Sequence, residues 1–183
     1  MEVEPVESLD RFELIDRGPL RARHVWALVS RLPEAIGHRE CDTVCRKLGW
    51  SQQDCSVEQV ADSPGAGNVV MIRAEFANAT ELATGFGQRG VPAERVAAGA
   101  ARQMHRYLAA DAPVGPHLAD QLMLPLGISA HRGVGGRFRT VGLTEHSRTH
   151  LDVLRAFLDI DVQVEQNAAD DVLVTMTPAS ADS

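Results

Sequence analysis

The sequence predicts a mixed α/β fold, in which helices alternate with strands along the chain. Two observations support this prediction. Proline opens two segments that carry apolar residues at helical spacing, the first at 34–48 after Pro33 and the second at 93–110 after Pro92. Between and after these segments, short runs rich in β-branched and aromatic residues are bounded by Gly, Pro, Asn and Asp, as is typical of strands.

The remaining elements follow from the same patterns. Strands are predicted at 20–29, 57–60, 69–76, 81–86, 138–141, 161–164 and 172–176, and strand-like alternation also occurs over 1–6. Gly49 is placed to end the first long helix, and a short helix is expected over 117–124. The glycines in 131–136 favour a hairpin-like turn, and the last seven residues are expected to fray.

The chain has 183 residues, which is enough for one large core or two small ones. Residues 16–110 contain a small sheet and both long helices, so they are predicted to form one unit. Residues 111–183 contain fewer predicted helices and strands, which do not easily enclose a hydrophobic core by themselves. No apolar run approaches the roughly 20 residues that span a bilayer, so no membrane partner is expected.

Composition narrows the classes of function. The formal net charge of −7 argues against a wholly basic surface for RNA, but 17 of the 18 cationic residues are Arg, which suits local phosphate recognition. Lys47 is the only lysine, so a mechanism in which a lysine side chain is the nucleophile is disfavoured. Three cysteines without a secretory leader predict a reduced, cytoplasmic setting. His38, Cys41 and Cys45 share a helical face, but structural zinc prefers four loop-borne ligands, so buried cysteines and no metal site are expected.

The segment Thr-Glu-His-Ser-Arg-Thr-His at 144–150 precedes apolar residues at helical spacing (151, 153, 154, 157 and 158), which are expected to form one buried face. Thr144 is a suitable N-cap, and His146 then lies in the first turn, where backbone N–H groups attract anions. A helix N-terminus also favours a neutral, nucleophilic imidazole, as histidine-based nucleotidyl transfer requires. The alternative is an ordinary surface histidine near a helix start.

Residues 144–150 and the helix that follows resemble the C-terminal signature of RNA 3′-terminal phosphate cyclases. The segment Arg-Phe-Arg-Thr at 137–140 resembles the strand that leads to the nucleophilic histidine of that family. Upstream, Val-Gly-Pro-His-Leu-Ala-Asp-Gln at 114–121, followed by an apolar run ending at Pro125, resembles the family's nucleotide-binding segment. Two further segments resemble family sequences, namely 65–68 and 87–94.

This resemblance implies an ATP-dependent ligase that converts an RNA 3′-terminal phosphate into a 2′,3′-cyclic phosphate. His146 would attack the α-phosphorus of ATP, giving a covalent histidine–AMP intermediate, and AMP would pass to the RNA 3′-phosphate before the neighbouring 2′-hydroxyl displaces it. Mg²⁺ would accompany the nucleotide. The implied nucleotide-binding residues are His117, Leu118, Ala119, Asp120 and Gln121. The first of these stands where the family has a tyrosine that packs on adenine.

The resemblance also implies the C-terminal portion of a repeated βα cyclase domain that carries a small inserted α/β domain. In that scheme residues 1–15 end a preceding cyclase unit, residues 16–110 are the inserted domain, and residues 111–183 belong to the catalytic domain. The family's N-terminal half has no counterpart here, so a fragment or half of a split enzyme is expected, with a separate N-terminal half among its partners beside RNA and ATP. Two alternatives stay open: a non-catalytic cyclase-like interaction factor in ribosome assembly, and an inactive fragment.

Overall fold

A computed structural model describes residues 8–180 of the chain. They form two compact units. Gly18–Ala109 is called the central unit below, and residues 8–17 together with 110–180 are called the terminal unit. The strand-like alternation predicted over 1–6 lies outside the described residues, as do the last three residues of the predicted tail.

The strands are β1 (Phe12–Leu14), β2 (Leu20–Ser30), β3 (Cys55–Gln59), β4 (Gly67–Phe76), β5 (Thr80–Phe86), β6 (Gly136–Thr140), β7 (Ile160–Ala168) and β8 (Asp171–Pro178). The helices are α1 (Ala35–Leu48), α2 (Ala93–Ala109), α3 (Pro116–His131) and α4 (Glu145–Phe157). The predicted mixed α/β class is therefore confirmed. Strand β8 extends into the segment that was expected to fray, because its backbone pairs with β7 as far as Pro178.

The central unit is a four-stranded sheet in the order β3-β2-β4-β5, with α1 and α2 packed against it. Strand β2 pairs with β3 in parallel and with β4 antiparallel, and β5 closes a hairpin on β4. Val25, Ala27 and Val29 alternate along β2 and are fully buried, as expected for the face of a sheet under a helix layer. Gly49 ends α1 in the left-handed conformation (φ 68°), as predicted.

The terminal unit is a second four-stranded sheet, in the order β1-β6-β8-β7, packed against α3 and α4. Strand β1 pairs in parallel with β6, so the first described residues and the last third of the chain share one sheet. The core between sheet and helices is built on the fully buried Met123, Phe138 and Val174. Burying one such side chain contributes about 1.5–3 kcal/mol, so this core holds α3 and α4 firmly.

Helix α3 is longer than predicted. The prediction ended it at 124, but the helix continues to His131 through Pro125, although a proline lacks the backbone donor of a regular helix. Both Pro125 and Gln121, whose carbonyl loses its helical partner, are exposed, so water can solvate that carbonyl. Leu126 and Ala130 beyond the proline are buried in the core, and their burial offsets the cost of the break.

The glycine-rich segment 131–136 is not a hairpin-like turn, as predicted, but the connection from α3 to β6. Gly135 has φ 76°, and a Cβ atom at this position would lie 2.2 Å from the carbonyl oxygen of Met176 on β8. The glycine is therefore required by the close approach of the chain to the sheet. The segment joins a helix to a strand of the same core, which the local glycine pattern does not distinguish from a hairpin.

The expectation of one buried apolar face on α4 is only partly right. Leu151 and Leu154 are buried, and Leu158 packs at the edge of the core. Val153 is exposed, and Phe157 is 83% exposed. At 100° per residue these five positions span more of the helix surface than the sheet can cover, so two of them remain outside.

The cysteines lie in the central unit as free thiols. Cys41 and Cys45 are buried on α1, as expected, and the Sγ atoms of Cys45 and Cys55 are 3.0 Å apart. Burial raises the pKa of the Cys41 thiol to about 11, so this thiol is protonated at neutral pH and serves for packing. Within residues 8–180 no helix has the length and apolarity needed to cross a membrane.

One buried charge was missed by the sequence analysis. Glu40 on α1 has no exposed side-chain surface, and its Oε1 accepts a hydrogen bond of 2.5 Å from Asn68 Nδ2 on β4. The other carboxylate oxygen, Oε2, has no partner in the described chain. Burial therefore raises the pKa of Glu40 to about 7, against the bonding from Asn68, which lowers it.

We expect the stability of the central unit to fall as the pH rises from 5 to 8, with a contribution of about 3 kcal/mol from Glu40. The sign follows from the raised folded-state pKa: the neutral acid stabilises the fold below its unfolded pKa, and this stabilisation is lost as the pH passes about 7. Glu40→Gln should remove that part of the pH dependence. Urea unfolding at both pH values checks this, followed by the fluorescence of Trp26 and Trp50, the two tryptophans of the chain.

Both tryptophans lie in the central unit, so this signal reports on the unit that contains Glu40. Glu58→Gln is the matched control, since Glu58 is exposed on β3 and should leave the pH dependence as it is in the unchanged chain. Equal pH dependence in Glu40→Gln and the unchanged chain would contradict the assignment.

Candidate functional site

Helix α4 begins at a side-chain cap, as predicted. The Oγ1 atom of Thr144 accepts a hydrogen bond of 3.1 Å from the backbone N–H of Ser147. The Ser147 side chain is buried, and its Oγ lies 3.0 Å from the same Thr144 oxygen. This cap fixes the first turn of α4 over the core and leaves the His146 side chain on the outside of that turn.

Asp120 on α3 lies between two imidazole rings of α4. Its Oδ1 is hydrogen-bonded to His150 Nδ1 at 3.1 Å, and its Oδ2 lies 3.3 Å from His146 Nε2. The two histidines are four residues apart on the same side of α4, and their ring centroids are 6.4 Å apart. Sequence reasoning predicted both His146 and Asp120 as functional, and the fold brings them together from segments 26 positions apart.

The two rings differ in how firmly they are held. The His150 side chain is 23% exposed, whereas that of His146 is 80% exposed. The hydrogen bond between Nδ1 and the carboxylate holds the His150 ring in place on α4. His146 instead turns its Nε2 toward Asp120. The spacing of His150 from His146 predicts a shared helix face, but the sequence did not predict the contact between His150 and Asp120.

The predicted nucleotide-binding residues lie on the first two turns of α3. His117 and Gln121 are exposed, and Asp120 is half-buried. Ala119 is fully buried in the core of the terminal unit, and Leu118 packs against the same core. These two side chains face the protein interior, so only the other three present polar groups that a nucleotide could reach.

Cationic side chains of the terminal unit are largely paired. Arg137 Nε lies 2.7 Å from Glu13, and Arg139 forms ion pairs with Asp111 and Asp171. Arg148, on the second turn of α4, is half-exposed, and its nearest carboxylate is 3.8 Å away. Most of the cations that could neutralise a triphosphate are therefore already neutralised by carboxylates of the same unit.

The donor set does not form a metal cage. Across residues 8–180, no three His, Cys, Asp or Glu side chains converge in a way that could hold a metal ion. Asp120 is a single carboxylate, and both of its oxygens face imidazole nitrogens.

Comparison with known proteins identifies relatives across most of the chain. Residues 15–109 match the model of the insert domain of RNA 3′-terminal phosphate cyclases. A protein named RNA 3′-terminal phosphate cyclase from Koribacter versatilis is 38% identical over 170 residues, which cover 92% of this chain and 47% of that protein. Proteins of the same name from Pseudomonas fluorescens and Salmonella agona are 36% and 34% identical, over 88% and 90% of this chain and 46% of each relative. The chain spans about half the length of these curated relatives.

We expect Thr144→Ala to destabilise the terminal unit by about 1 kcal/mol, because Ser147 N–H loses its partner at the start of α4. The first turn, with His146, should exchange its amide hydrogens faster. Hydrogen exchange of residues 145–150 and thermal unfolding by circular dichroism measure both effects.

Thr149→Ala is the matched control, since Thr149 is exposed on the same helix and its hydroxyl bonds only the carbonyl of Glu145. If both variants showed the same exchange and the same melting temperature, the cap would have no part in ordering the site.

Proposed function

Because the chain belongs to the RNA 3′-terminal phosphate cyclase family, we propose that it takes part in ATP-dependent conversion of an RNA 3′-terminal phosphate to a 2′,3′-cyclic phosphate. The single observation that supports this chemistry best is the Asp120 carboxylate in contact with two imidazoles at the start of α4. One carboxylate-oriented imidazole with a free ring nitrogen is what covalent nucleotidyl transfer through histidine requires.

Asp120 contacts two imidazole rings, those of His146 and His150, and either one could be the nucleophile. The motif assigns it to His146, and this stays a prediction. His150 also bonds Asp120 through Nδ1 and is the less exposed of the two rings, so it is proposed to hold the carboxylate that orients His146.

In the proposed reaction the imidazole lone pair attacks the α-phosphorus of ATP, and the bond to pyrophosphate breaks. The product is a histidine–AMP phosphoramidate. An oxygen of the RNA 3′-phosphate then attacks the same phosphorus, the P–N bond breaks, and the imidazole is restored. The 2′-hydroxyl finally attacks the activated phosphate and loses its proton, and AMP leaves with the bonding electrons. Adenylylation thus converts a poor leaving group into a good one.

Asp120 is proposed to orient the ring and to stabilise positive charge that develops on it during transfer. The exposed His117 and Gln121, on the same helix, would then lie beside the adenine or the ribose, with Asp120 as a second acceptor for a ribose hydroxyl. Leu118 and Ala119 would act through their backbone position, because their side chains belong to the core.

Mg²⁺ is expected with the nucleotide, but the described residues contain no group of three or more His, Cys, Asp or Glu side chains that could bind it. The donor set of this chain therefore does not fit a resident metal site, and no step of the proposed reaction is assigned to a metal held by this chain.

We further propose that the site is completed by a separate N-terminal half. The chain spans 47% of the Koribacter relative, and most arginines of the terminal unit are paired internally. Each of the two helices that carry the site also leaves two apolar side chains exposed, four positions apart. They are Leu124 and Ile128 on α3, and Val153 and Phe157 on α4. Such rows are the ridges by which helices pack on other helices.

The test is transfer of label from ATP radiolabelled at the α-phosphate, applied to the chain alone and to its mixture with the remaining half of the Koribacter relative. We expect covalent AMP in the mixture, seen also as the added mass of one AMP residue. His146→Ala should abolish labelling, and His150→Ala should only slow it, because Asp120 then loses one of its two ring contacts. Loss in His150→Ala alone would instead assign the attacking ring to His150.

Asp120→Asn should slow labelling at least about tenfold, since the ring loses its orienting carboxylate. Asp152→Asn, on the exposed side of α4, is the matched control and should label as the unchanged chain does. Labelling that survives in both histidine variants would refute the histidine intermediate, and no labelling under any condition would refute the covalent chemistry. The second result would favour the non-catalytic interaction factor or an inactive fragment.

We also expect His117→Tyr to tighten ATP binding about threefold to tenfold, because a phenol ring stacks over more area than an imidazole. Calorimetric titration with ATP measures the dissociation constant. His105→Tyr, an exposed position on α2, is the control for a non-specific gain. Unchanged affinity in His117→Tyr would exclude stacking at this position.

A further inference from the structure

The positive charge of this chain is concentrated in the central unit. Gly18–Ala109 holds eleven Arg and Lys residues against nine Asp and Glu, a formal balance of +2. The rest of the chain holds 7 against 16, a balance of −9. Because phosphate contacts with cationic side chains dominate nucleic-acid affinity, an RNA strand is attracted far more to the central unit than to the remainder.

The loop between β5 and α2, residues 87–92, separates two cavities on the central unit. One has a volume of about 550 Å³ and lies between the loop, the start of α1 and the start of β4. The other has a volume of about 400 Å³ and lies between the end of β5 and the first turns of α2. Gln88 and Val91 line both, so the cavities adjoin along the loop. We call the two cavities together the loop groove.

Three side chains of the loop groove are free to meet a ligand. Phe86, at the end of the edge strand β5, is 71% exposed. Arg89 and Arg95 are exposed, and neither side chain bonds or pairs with another group among residues 8–180. Arg39 at the other wall differs, because its guanidinium is held by two bonds of 2.7 Å to Glu94. The groove therefore combines one uncovered aromatic ring with two unpaired cations.

We propose that the loop groove binds single-stranded RNA, with Phe86 stacking on a base and with Arg89 and Arg95 pairing with phosphates. An exposed aromatic ring flanked by cations is the arrangement by which proteins hold single strands, since every base has a face to stack. The choice of RNA as the ligand rests on the proposed function. The location of the site rests on the charge, exposure and cavities of the central unit.

The experiment measures binding of a short, fluorescein-labelled single-stranded RNA with a 3′-phosphate by anisotropy, over a series of salt concentrations and without ATP. Arg89→Gln combined with Arg95→Gln should weaken binding more than tenfold at low salt. It should also reduce the slope of log affinity against log salt by about 1.4, or about 0.7 for each lost phosphate contact. Phe86→Leu should weaken binding about tenfold and leave that slope unchanged, because it removes stacking and no charge.

Arg21→Gln is the matched control. Arg21 is exposed near the start of β2, at the end of the sheet where Leu20 pairs with Phe76, whereas Phe86 pairs with Val69 at the opposite end. It should bind RNA as tightly as the unchanged chain and with the same slope. The proposal is overturned if the unchanged chain does not bind, if Arg21→Gln weakens binding as much as the double variant, or if double-stranded RNA of the same sequence binds equally well.

Failure of this proposal is distinguishable from failure of the proposed chemistry. RNA binding is measured without ATP and needs no covalent step, so absence of AMP labelling would leave an observed RNA complex in place. Conversely, labelling by ATP alone needs no RNA. An RNA complex that disappears with the double variant therefore supports the loop groove whichever result the labelling gives.

Discussion

The carboxylate of Asp120 ties helix α3 to the first turns of helix α4. Each of its oxygens faces a different imidazole, at 3.1 and 3.3 Å, so the half-buried charge is compensated by ring nitrogens. The contact depends on how closely the two helices approach. Gly127 on α3 lies where they approach closely, since a Cβ atom there would lie 3.2 Å from a methyl group of Leu158 and 3.5 Å from Leu154. The two helices therefore pack closely along the side that carries the rings.

The terminal unit orients imidazole rings but presents little unpaired positive charge. Its formal balance is −9 when the whole sequence outside Gly18–Ala109 is counted, and its arginines mostly face its own carboxylates. A triphosphate needs fixed positive charge around it, because electrostatic stabilisation supplies most of the rate in such transfers. In the proposed reaction, an imidazole held by Asp120 is therefore one part of the site. The proposed N-terminal half would bring the rest and would pack on the exposed apolar residues of α3 and α4.

The central unit has a different character. It carries a formal charge of +2. One of its carboxylates, that of Glu40 on α1, is buried in the interior of the unit. Its sheet has both an uncovered aromatic ring at an edge strand and unpaired arginines beside it. These two features, with the cavities between them, are the basis of the RNA binding proposed for the loop groove. They are separate from the imidazoles on α4, which belong to the other unit.

Much of the fold could be predicted from local sequence. Helices α1 and α2 follow Pro33 and Pro92 and carry apolar residues at helical spacing, and they lie within about a residue of the predicted bounds. The Thr144 cap was likewise visible, because capping needs only a hydroxyl three residues before its donor. Local rules failed where burial opposed them, as at Pro125, where packing beyond the proline kept the helix intact.

The sequence by itself determined the family and the mixed α/β class, and it selected His146 and Asp120 as candidate site residues, since all of these depend on residue types at fixed spacing. Only the tertiary structure decided that Asp120 also holds His150, that Phe157 faces outward and that Glu40 is buried. The physical reason is that each of these facts depends on which distant helix or strand lies opposite, and hydrogen bonds and burial between distant elements leave no periodic signal along the chain.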